Sequence, residues 1–228
     1  FFDSNGTSWF ATNKGVSKLK NSNDVFKLKS SVDNAHSISI ARDNTLWFSH
    51  NDGITSLNNQ DQETKYISNP TDVNSLLTNE TEKILVTTRG LIWAASKYSG
   101  VTLLDPFNNK FKRYESEVDS SDINNSLIHG KINTIYEDIN GSIWFSSNNG
   151  ISKFKNEKFH TVSFNPVLNN GYLLDINSFL HSSREDIWIG TNSSGLYKLN
   201  YDDLSIKKHY TLDINDKYSF SSSNVLTI

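Results

Sequence analysis

Short apolar segments that alternate with polar residues recur along the whole chain, and each copy contains one tryptophan. The five tryptophans lie 38, 46, 51 and 44 residues apart, and a glycine follows each after six or seven residues. They are Trp9, Trp47, Trp93, Trp144 and Trp188. Alternation with a period of two is typical of half-buried β-strands, and a spacing of roughly 40–50 residues is typical of a repeat array. The pattern therefore predicts five copies of one small β unit.

The clearest copy, residues 131–159, predicts four short strands. Asp138 with Gly141, and Asn149 with Gly150, are turn signals, because glycine accepts a positive φ and aspartate caps nearby amides. Four antiparallel strands repeated radially form a β-propeller blade. The sequence therefore predicts an all-β fold, with residues 1–228 forming a single β-propeller domain of five four-stranded blade repeats, or a propeller fragment.

The end of the chain resembles the first strand of a repeat. Residues 225–228, VLTI, match residues 132–135, INTI, so the last segment could pair with the strands around Trp9. Such pairing would remove exposed sheet edges. The sequence leaves two architectures open: a closed five-bladed ring, or part of a larger propeller.

The repeated apolar residues have an expected structural role. Each tryptophan should fill the space between adjacent blades, with its indole N–H bonded to a backbone acceptor. Three long connectors share a serine followed by an apolar residue, which predicts a polar turn with one side chain inserted into the core. These pairs are Ser75 with Leu76, Ser126 with Leu127, and Ser219 with Phe220.

Composition narrows the function. The net charge of −3 and the pI near 6.1 argue against a nucleic-acid surface, and no apolar run approaches the roughly 20 residues that span a bilayer. The chain has no signal peptide and no methionine, so we expect a processed piece of a longer protein. It also has no cysteine, which excludes disulfides and thiolate metal sites. The six histidines show no HxxxH or HExxH spacing, and no nucleotide or hydrolase fingerprint occurs. We therefore expect no metal site, no cofactor and no catalytic residue.

Candidate ligand-binding residues lie where turns and loops should meet. In a propeller, the turn between the second and third strands and the loop between blades reach the same face. The candidates there are Lys14, His50, Lys97, Tyr98, Arg113, Tyr114, His129, Asn149 and Tyr172. Aromatic rings with arginine and asparagine suit a carbohydrate or an anionic oligomer, through stacking and bidentate hydrogen bonds.

The repeat resembles a known family. Ile132, Ile135, Asp138 and Gly141, followed by IWFSS at residues 143–147 and Gly150, are similar to the two-component regulator propeller repeat of bacterial sensor proteins. Residues 186–199 resemble it as well. The resemblance implies a non-catalytic sensor region at the periplasmic or extracellular face of an inner-membrane protein, whose output is a histidine kinase or diguanylate cyclase. It also implies an unknown small-molecule or oligosaccharide ligand and a homodimer formed through the parent protein.

Two alternatives belong to other functional classes. The repeats also resemble the propeller of streptogramin lyases, which use a histidine and magnesium, although this sequence offers no acidic or histidine cluster at the predicted loop face. A protein-interaction scaffold of the WD40 or kelch type is the other alternative, but no tryptophan here precedes an aspartate.

Overall fold

The computed structural model describes residues 6–20, 25–116, 126–128, 131–163, 176–183 and 185–226. Within these ranges the protein is all-β and contains no helix. Consequently, no helix in the described part of the chain is long and apolar enough to cross a membrane. The chain forms two compact units, unit 1 (residues 1–115) and unit 2 (residues 116–228).

In the described part of the chain, nineteen strands form five antiparallel sheets, in which each strand pairs with its neighbour in sequence. The first sheet contains β1 (Ser8–Thr12), β2 (Gly15–Lys20) and β3 (Val25–Ser30). The second contains β4 (Ser37–Ile40), β5 (Leu46–His50), β6 (Gly53–Leu57) and β7 (Glu63–Tyr66). The third contains β8 (Thr81–Val86), β9 (Ile92–Ser96), β10 (Gly100–Asp105) and β11 (Lys110–Glu115). The fourth contains β12 (Ile132–Glu137), β13 (Ile143–Ser147), β14 (Gly150–Lys155) and β15 (Lys158–Ser163). The fifth contains β16 (Ile176–Ser183), β17 (Asp186–Thr191), β18 (Leu196–Asn200) and β19 (Ile206–Tyr210).

The first sheet has three strands where the other four sheets have four. Among the described residues, no sheet joins the two ends of the chain. The predicted pairing of residues 225–228 with the first sheet falls partly on residues 1–5 and 227–228, which lie outside the described residues. Val225 itself is buried, and its N–H donates to the carbonyl of Thr191 at the end of β17 (2.7 Å).

Tryptophans lie between neighbouring sheets within each unit. In unit 1, Trp9 of the first sheet packs with Leu46 and Phe48 of the second, and Trp47 of the second packs with Ile84 and Ile92 of the third. Burying such large side chains removes apolar area that a single sheet would expose. The predicted inter-blade role is therefore confirmed for these two tryptophans.

The same arrangement holds in unit 2. Trp144 of the fourth sheet is fully buried and packs with Ile176, Phe179 and Ile187 of the fifth. The sequence predicted a backbone acceptor for its indole N–H. The N–H instead donates to the carboxylate of Asp138 (2.8 Å). A buried charged acceptor replaces the expected carbonyl.

A tyrosine on the fourth strand stacks on the tryptophan of three sheets. The ring centroids are 5.3 Å apart for Trp47 and Tyr66, 5.6 Å for Trp93 and Tyr114, and 5.7 Å for Trp188 and Tyr210, each at an interplanar angle of 26°. Offset stacking at this separation is favourable. The fourth sheet lacks this tyrosine, because Val162 pairs with Ile151 at the equivalent position.

The turn between the first and second strands keeps its geometry although its residues change. Asn44, Gly90 and Gly141 each adopt a positive φ (66°, 79° and 73°). Each N–H donates to the carbonyl three residues earlier, at 3.0 Å for Asn44 and 2.9 Å for the two glycines. Asparagine tolerates this conformation better than other non-glycine residues, so it can replace glycine here.

The glycine after each repeat tryptophan has a stricter requirement. At Gly53 and Gly150, φ is 121° and 151°, and a Cβ atom would collide with the carbonyl oxygen of Tyr66 or Val162 at the end of the fourth strand. These two positions therefore require glycine for both backbone conformation and space.

Two of the three connectors insert an apolar side chain into the core, as predicted, whereas Phe220 of the third is only half-buried. Leu76 and Leu127 are 1% and 2% exposed. Ser75 accepts from the N–H of Asn69 (2.7 Å) through its hydroxyl oxygen, and Ser219 makes the same contact with Asp213 (3.0 Å). The serine therefore closes a polar turn, and the residue after it anchors the loop where it is buried.

Candidate functional site

Four candidate residues of unit 1 lie in, or directly before, the hairpin turn that follows the tryptophan-containing strand of each sheet. Lys14 is exposed in the β1–β2 turn, His50 ends β5, and Lys97 and Tyr98 occupy the β9–β10 turn. The Lys97 amine lies 5.5 Å from the centroid of the Tyr98 ring, which is a cation–π distance. The structure thus places these four at the same edge of three successive sheets.

His50 is buried, and both of its ring nitrogens have partners inside its own turn. Nδ1 accepts from the N–H of Asp52 (3.2 Å), and Nε2 lies 2.9 Å from the hydroxyl of Thr55. Since Nδ1 accepts, the proton of the neutral ring lies on Nε2 and donates to Thr55. Burial lowers the pKa of His50. The geometry therefore gives His50 a structural role in the turn.

Arg113 holds the loop that precedes the third sheet. Its Nε donates to the carbonyl of Ser75 (3.0 Å), and one terminal nitrogen donates to the carbonyls of Asp72 (2.7 Å) and Asn69 (3.2 Å). A guanidinium suits this task because its donors form a rigid fork. The loop therefore occupies most of the hydrogen-bonding capacity of Arg113.

The remaining candidates are placed as follows. Tyr114 stacks on Trp93. Asn149 lies in the β13–β14 turn, where its N–H donates to the hydroxyl of Ser147 (2.9 Å). His129 and Tyr172 lie outside the described residues.

The described residues of unit 1 form two concave sites that bear on function. One, a groove of about 420 Å³, lies beside the loop that Arg113 holds and includes Tyr66, Asn69, Asn109 and Phe111. Its lining includes Ser75 of the connector that the sequence predicted, but none of the nine candidate ligand-binding residues.

The larger site, a cavity of about 700 Å³, lies at the opposite edge of the second and third sheets. We call it the arginine pocket; it is lined by Ala41, Arg42, Asp43, Thr45, Trp47, Thr88, Arg89, Gly90, Pro106 and Phe107. Sequence reasoning missed it, because polar residues in tight turns carry no site signal by themselves. The available signal was the presence of one arginine in each of two equivalent turns of neighbouring repeats.

Unit 2 contains a buried polar network centred on Asp138. One carboxylate oxygen accepts from the N–H groups of Asn140 (2.8 Å) and Ser142 (2.9 Å). The other accepts from the indole of Trp144 (2.8 Å) and the hydroxyl of Tyr201 (2.7 Å). Burial alone would raise the pKa of Asp138, but these hydrogen bonds outweigh it and hold the pKa below its ordinary value. Asp138 is therefore an ionised carboxylate at neutral pH.

Lys153 and His181 surround the same tyrosine. The Lys153 amine donates to the carbonyl of Tyr201 (3.0 Å) and lies 3.4 Å from its ring centroid. Burial lowers the pKa of Lys153, and the Asp138 carboxylate opposes this shift. The ring of His181 stacks on that of Tyr201, with centroids 4.6 Å apart and an interplanar angle of 5°. The described residues contain no group of three or more histidine, cysteine, aspartate or glutamate side chains that could hold a metal ion.

Comparison with known families identifies one repeat directly. Residues 126–149 match the family model of the two-component regulator propeller. This segment includes the Asp138 turn and strand β13. No curated protein sequence matches the chain.

Solved structures share the fold. The extracellular domain of the hybrid two component system BT4673 from B. thetaiotaomicron is 18% identical, with a TM-score of 0.68 over 100% of this chain and 34% of that one. The extracellular domain of the hybrid two component system BT3049 from the same organism is 19% identical, with a TM-score of 0.53 over 99% of this chain and 36% of that one. Virginiamycin B lyase from Staphylococcus aureus is 13% identical, with a TM-score of 0.69 over 94% of this chain and 69% of that one.

These identities establish a common fold and no more. The chain spans about one third of the length of the two sensor domains it matches. Its sheets therefore have a propeller-like arrangement of strands, and its residues 126–149 are a two-component regulator propeller repeat.

Proposed function

We propose that this chain is an extracytoplasmic ligand-sensing propeller of a membrane-bound bacterial signalling protein, and that it is not itself catalytic. The parent protein would carry a transmembrane segment and a histidine kinase or diguanylate cyclase as its output. The ligand would be a small molecule or oligosaccharide, and the parent would act as a homodimer.

The observation that carries this proposal is the regulator propeller repeat at residues 126–149. It is supported by the shared fold with extracellular domains of hybrid two component systems. The buried polar side chains of His50 and Asp138 are tied into turns by hydrogen bonds, which suits a rigid binding scaffold.

The finer architecture belongs to the same proposal. The five sheets would be propeller blades that either close as a ring, with residues 225–228 completing the first sheet, or continue into a larger array. The number of consecutive propeller repeats in the parent protein distinguishes these: the five repeats of this chain alone favour a ring, and further adjoining repeats favour the array.

Location is tested by labelling. The chain contains no cysteine, so the exposed residue Asn108 can be replaced by cysteine in a parent protein freed of other thiols. A membrane-impermeant maleimide should then label Asn108→Cys in intact cells, whereas a cysteine in the output module should react only after lysis. Labelling of Asn108→Cys only after lysis would refute the location.

An enzymatic function is the second candidate, because a virginiamycin B lyase shares the fold over 94% of this chain. A structure of an inactive variant of that lyase contains quinupristin. Incubating this chain with quinupristin and magnesium, followed by mass spectrometry, tests the candidate. We expect the antibiotic to remain unchanged; turnover that survives repurification would favour the enzyme and contradict our proposal.

A further inference from the structure

The arginine pocket presents two guanidinium groups for which the described residues provide no hydrogen-bond or ion-pair partner. Arg42 lies in the β4–β5 turn and Arg89 in the β8–β9 turn, and both side chains are exposed and line the cavity. Among the residues that the structure describes, neither guanidinium takes part in a hydrogen bond or an ion pair. Two guanidiniums on one concave surface therefore have ten N–H donors available for an acceptor from outside.

The acidic residue of the lining is already engaged. Asp43 accepts from the N–H of Thr45 through one carboxylate oxygen (2.9 Å), and its own carbonyl accepts from the side chain of Asn59 (2.8 Å). These contacts give Asp43 a structural role in its turn. With one aspartate and two arginines, the lining keeps an excess of positive charge.

The rest of the pocket is apolar and aromatic. Trp47 is 4% exposed and contributes to the wall, with Tyr66 stacked on its ring. Phe107 is 79% exposed at the pocket, and its ring packs so closely on Gly90 that a Cβ there would lie 3.0 Å from Cε2. Phe107 therefore offers an accessible aromatic face at the rim of the pocket.

The size of the cavity limits the ligand. Pockets for small molecules typically measure about 300–1,000 Å³ and combine an apolar lining with a few polar groups. The cavity of about 700 Å³ falls within this range. Its walls come from the second and third sheets, which pack together through Trp47, Ile84 and Ile92 in one compact unit.

We propose that the arginine pocket binds a small aromatic carboxylate. The flat ring would lie against Phe107, close to the buried Trp47, and the carboxylate would accept bidentate hydrogen bonds from Arg42 and Arg89. This site lies at the opposite edge from the loop residues considered above. The proposal does not depend on the output module of the parent protein, because ligand binding is a property of this chain alone.

The test uses 1-naphthoate and its uncharged counterpart 1-naphthalenemethanol as probes. The ¹⁵N-labelled chain is titrated while two-dimensional NMR follows the Gly90 amide and the Trp47 indole N–H. We expect naphthoate to shift both signals in a saturable manner and to bind about tenfold or more tightly than the alcohol, since a charge-assisted hydrogen bond is stronger than a neutral one.

Variants separate charge from shape. Arg42→Gln and Arg89→Gln should each weaken naphthoate binding about tenfold and leave binding of the alcohol unchanged. Phe107→Ala should weaken both probes. Lys158→Gln, an exposed change on β15 in unit 2 and outside the lining of the pocket, is the matched control and should leave both affinities unchanged. Circular dichroism checks that every variant is folded.

Three outcomes would overturn the proposal. They are the absence of a saturable shift with naphthoate, equal affinity for the acid and the alcohol, and unchanged naphthoate binding in both arginine variants. Each of these outcomes leaves the sensor proposal intact. The sensor proposal is tested separately, by labelling in cells and by the identity of the output module in the parent protein. Labelling only after lysis would refute the sensor location without affecting the measured binding.

Discussion

Replacing Asp138 by asparagine tests the buried network of unit 2 with almost no change of shape. In the native protein the carboxylate accepts four hydrogen bonds, from the amides of Asn140 and Ser142 and from the side chains of Trp144 and Tyr201. Asparagine keeps one oxygen acceptor, and its amide nitrogen would face the second pair of donors. The Trp144 N–H would then be buried without an acceptor.

The expected cost follows from these contacts. Leaving a buried donor unsatisfied costs about 1–3 kcal/mol, and hydrogen bonds to a charged group lose strength when the charge is removed. Lys153, which is 8% exposed, would also lose a nearby negative charge that favours its protonated form. We therefore expect Asp138→Asn to lower the free energy of unfolding by about 2–4 kcal/mol.

The pH dependence has a definite sign. The pKa of Asp138 in the folded protein is held below its ordinary value of 3.8, so its contribution is fully present above the unfolded-state pKa and is lost as the pH falls through the folded-state pKa. The stability gap between wild type and Asp138→Asn should therefore be constant from pH 5 to 7 and shrink below about pH 4.

Urea unfolding, followed by circular dichroism, measures this gap at each pH, and hydrogen exchange at the Ser142 amide reports on unit 2 specifically. Asp105→Asn is the matched control. The Asp105 carboxylate also caps a turn, accepting from the N–H groups of Phe107 and Asn108, but without buried aromatic donors, so the variant should unfold close to wild type. A loss below about 0.5 kcal/mol for Asp138→Asn, or a gap that widens in acid, would refute the reasoning.

Three further predictions concern other parts of the fold. Gly150→Ala should lower the free energy of unfolding in urea by about 1–3 kcal/mol, because the new methyl group meets the Val162 carbonyl. An unchanged free energy of unfolding would show that β14 and β15 can move apart without cost. Arg113→Lys should speed hydrogen exchange in residues 69–75, since an amine cannot reproduce the guanidinium fork; unchanged exchange there would contradict the loop-holding role. Hydrogen bonds from Lys198 and Lys207 lower the pKa of Asp186 to about 2, so Lys207→Met should raise that pKa in carboxyl ¹³C NMR, and an unaltered titration would count against the contact.

Local periodicity was sufficient to predict the strands and turns. The fourth repeat predicted strands around Ile135, Trp144 and Phe154, and β12, β13 and β14 contain these residues. It also identified the Asp138 turn, because that turn depends on residues three apart. Alternation and turn chemistry act over a few residues, so one sequence reveals them.

Contacts between distant residues were harder to predict. Arg113 reaches Ser75, 38 residues earlier, and nothing in the spacing indicates that a β11 side chain would hold that loop. Likewise, Arg42 and Arg89 line one cavity because two sheets pack side by side, whereas each arginine alone is an ordinary turn residue. The indole partner of Trp144 was missed because the side chain of Asp138 points inward instead of only capping its turn.

The stacked tyrosines affect how freely the repeats can be exchanged. In the second, third and fifth sheets the tryptophan and its tyrosine belong to the same sheet, so a transplanted repeat carries both rings. The fourth sheet instead borrows Tyr201, which follows β18 of the fifth sheet and bonds to Asp138. Grafting the fourth repeat alone into another propeller would remove one of the four hydrogen bonds to the buried Asp138 carboxylate, so the fourth and fifth repeats are better transplanted together.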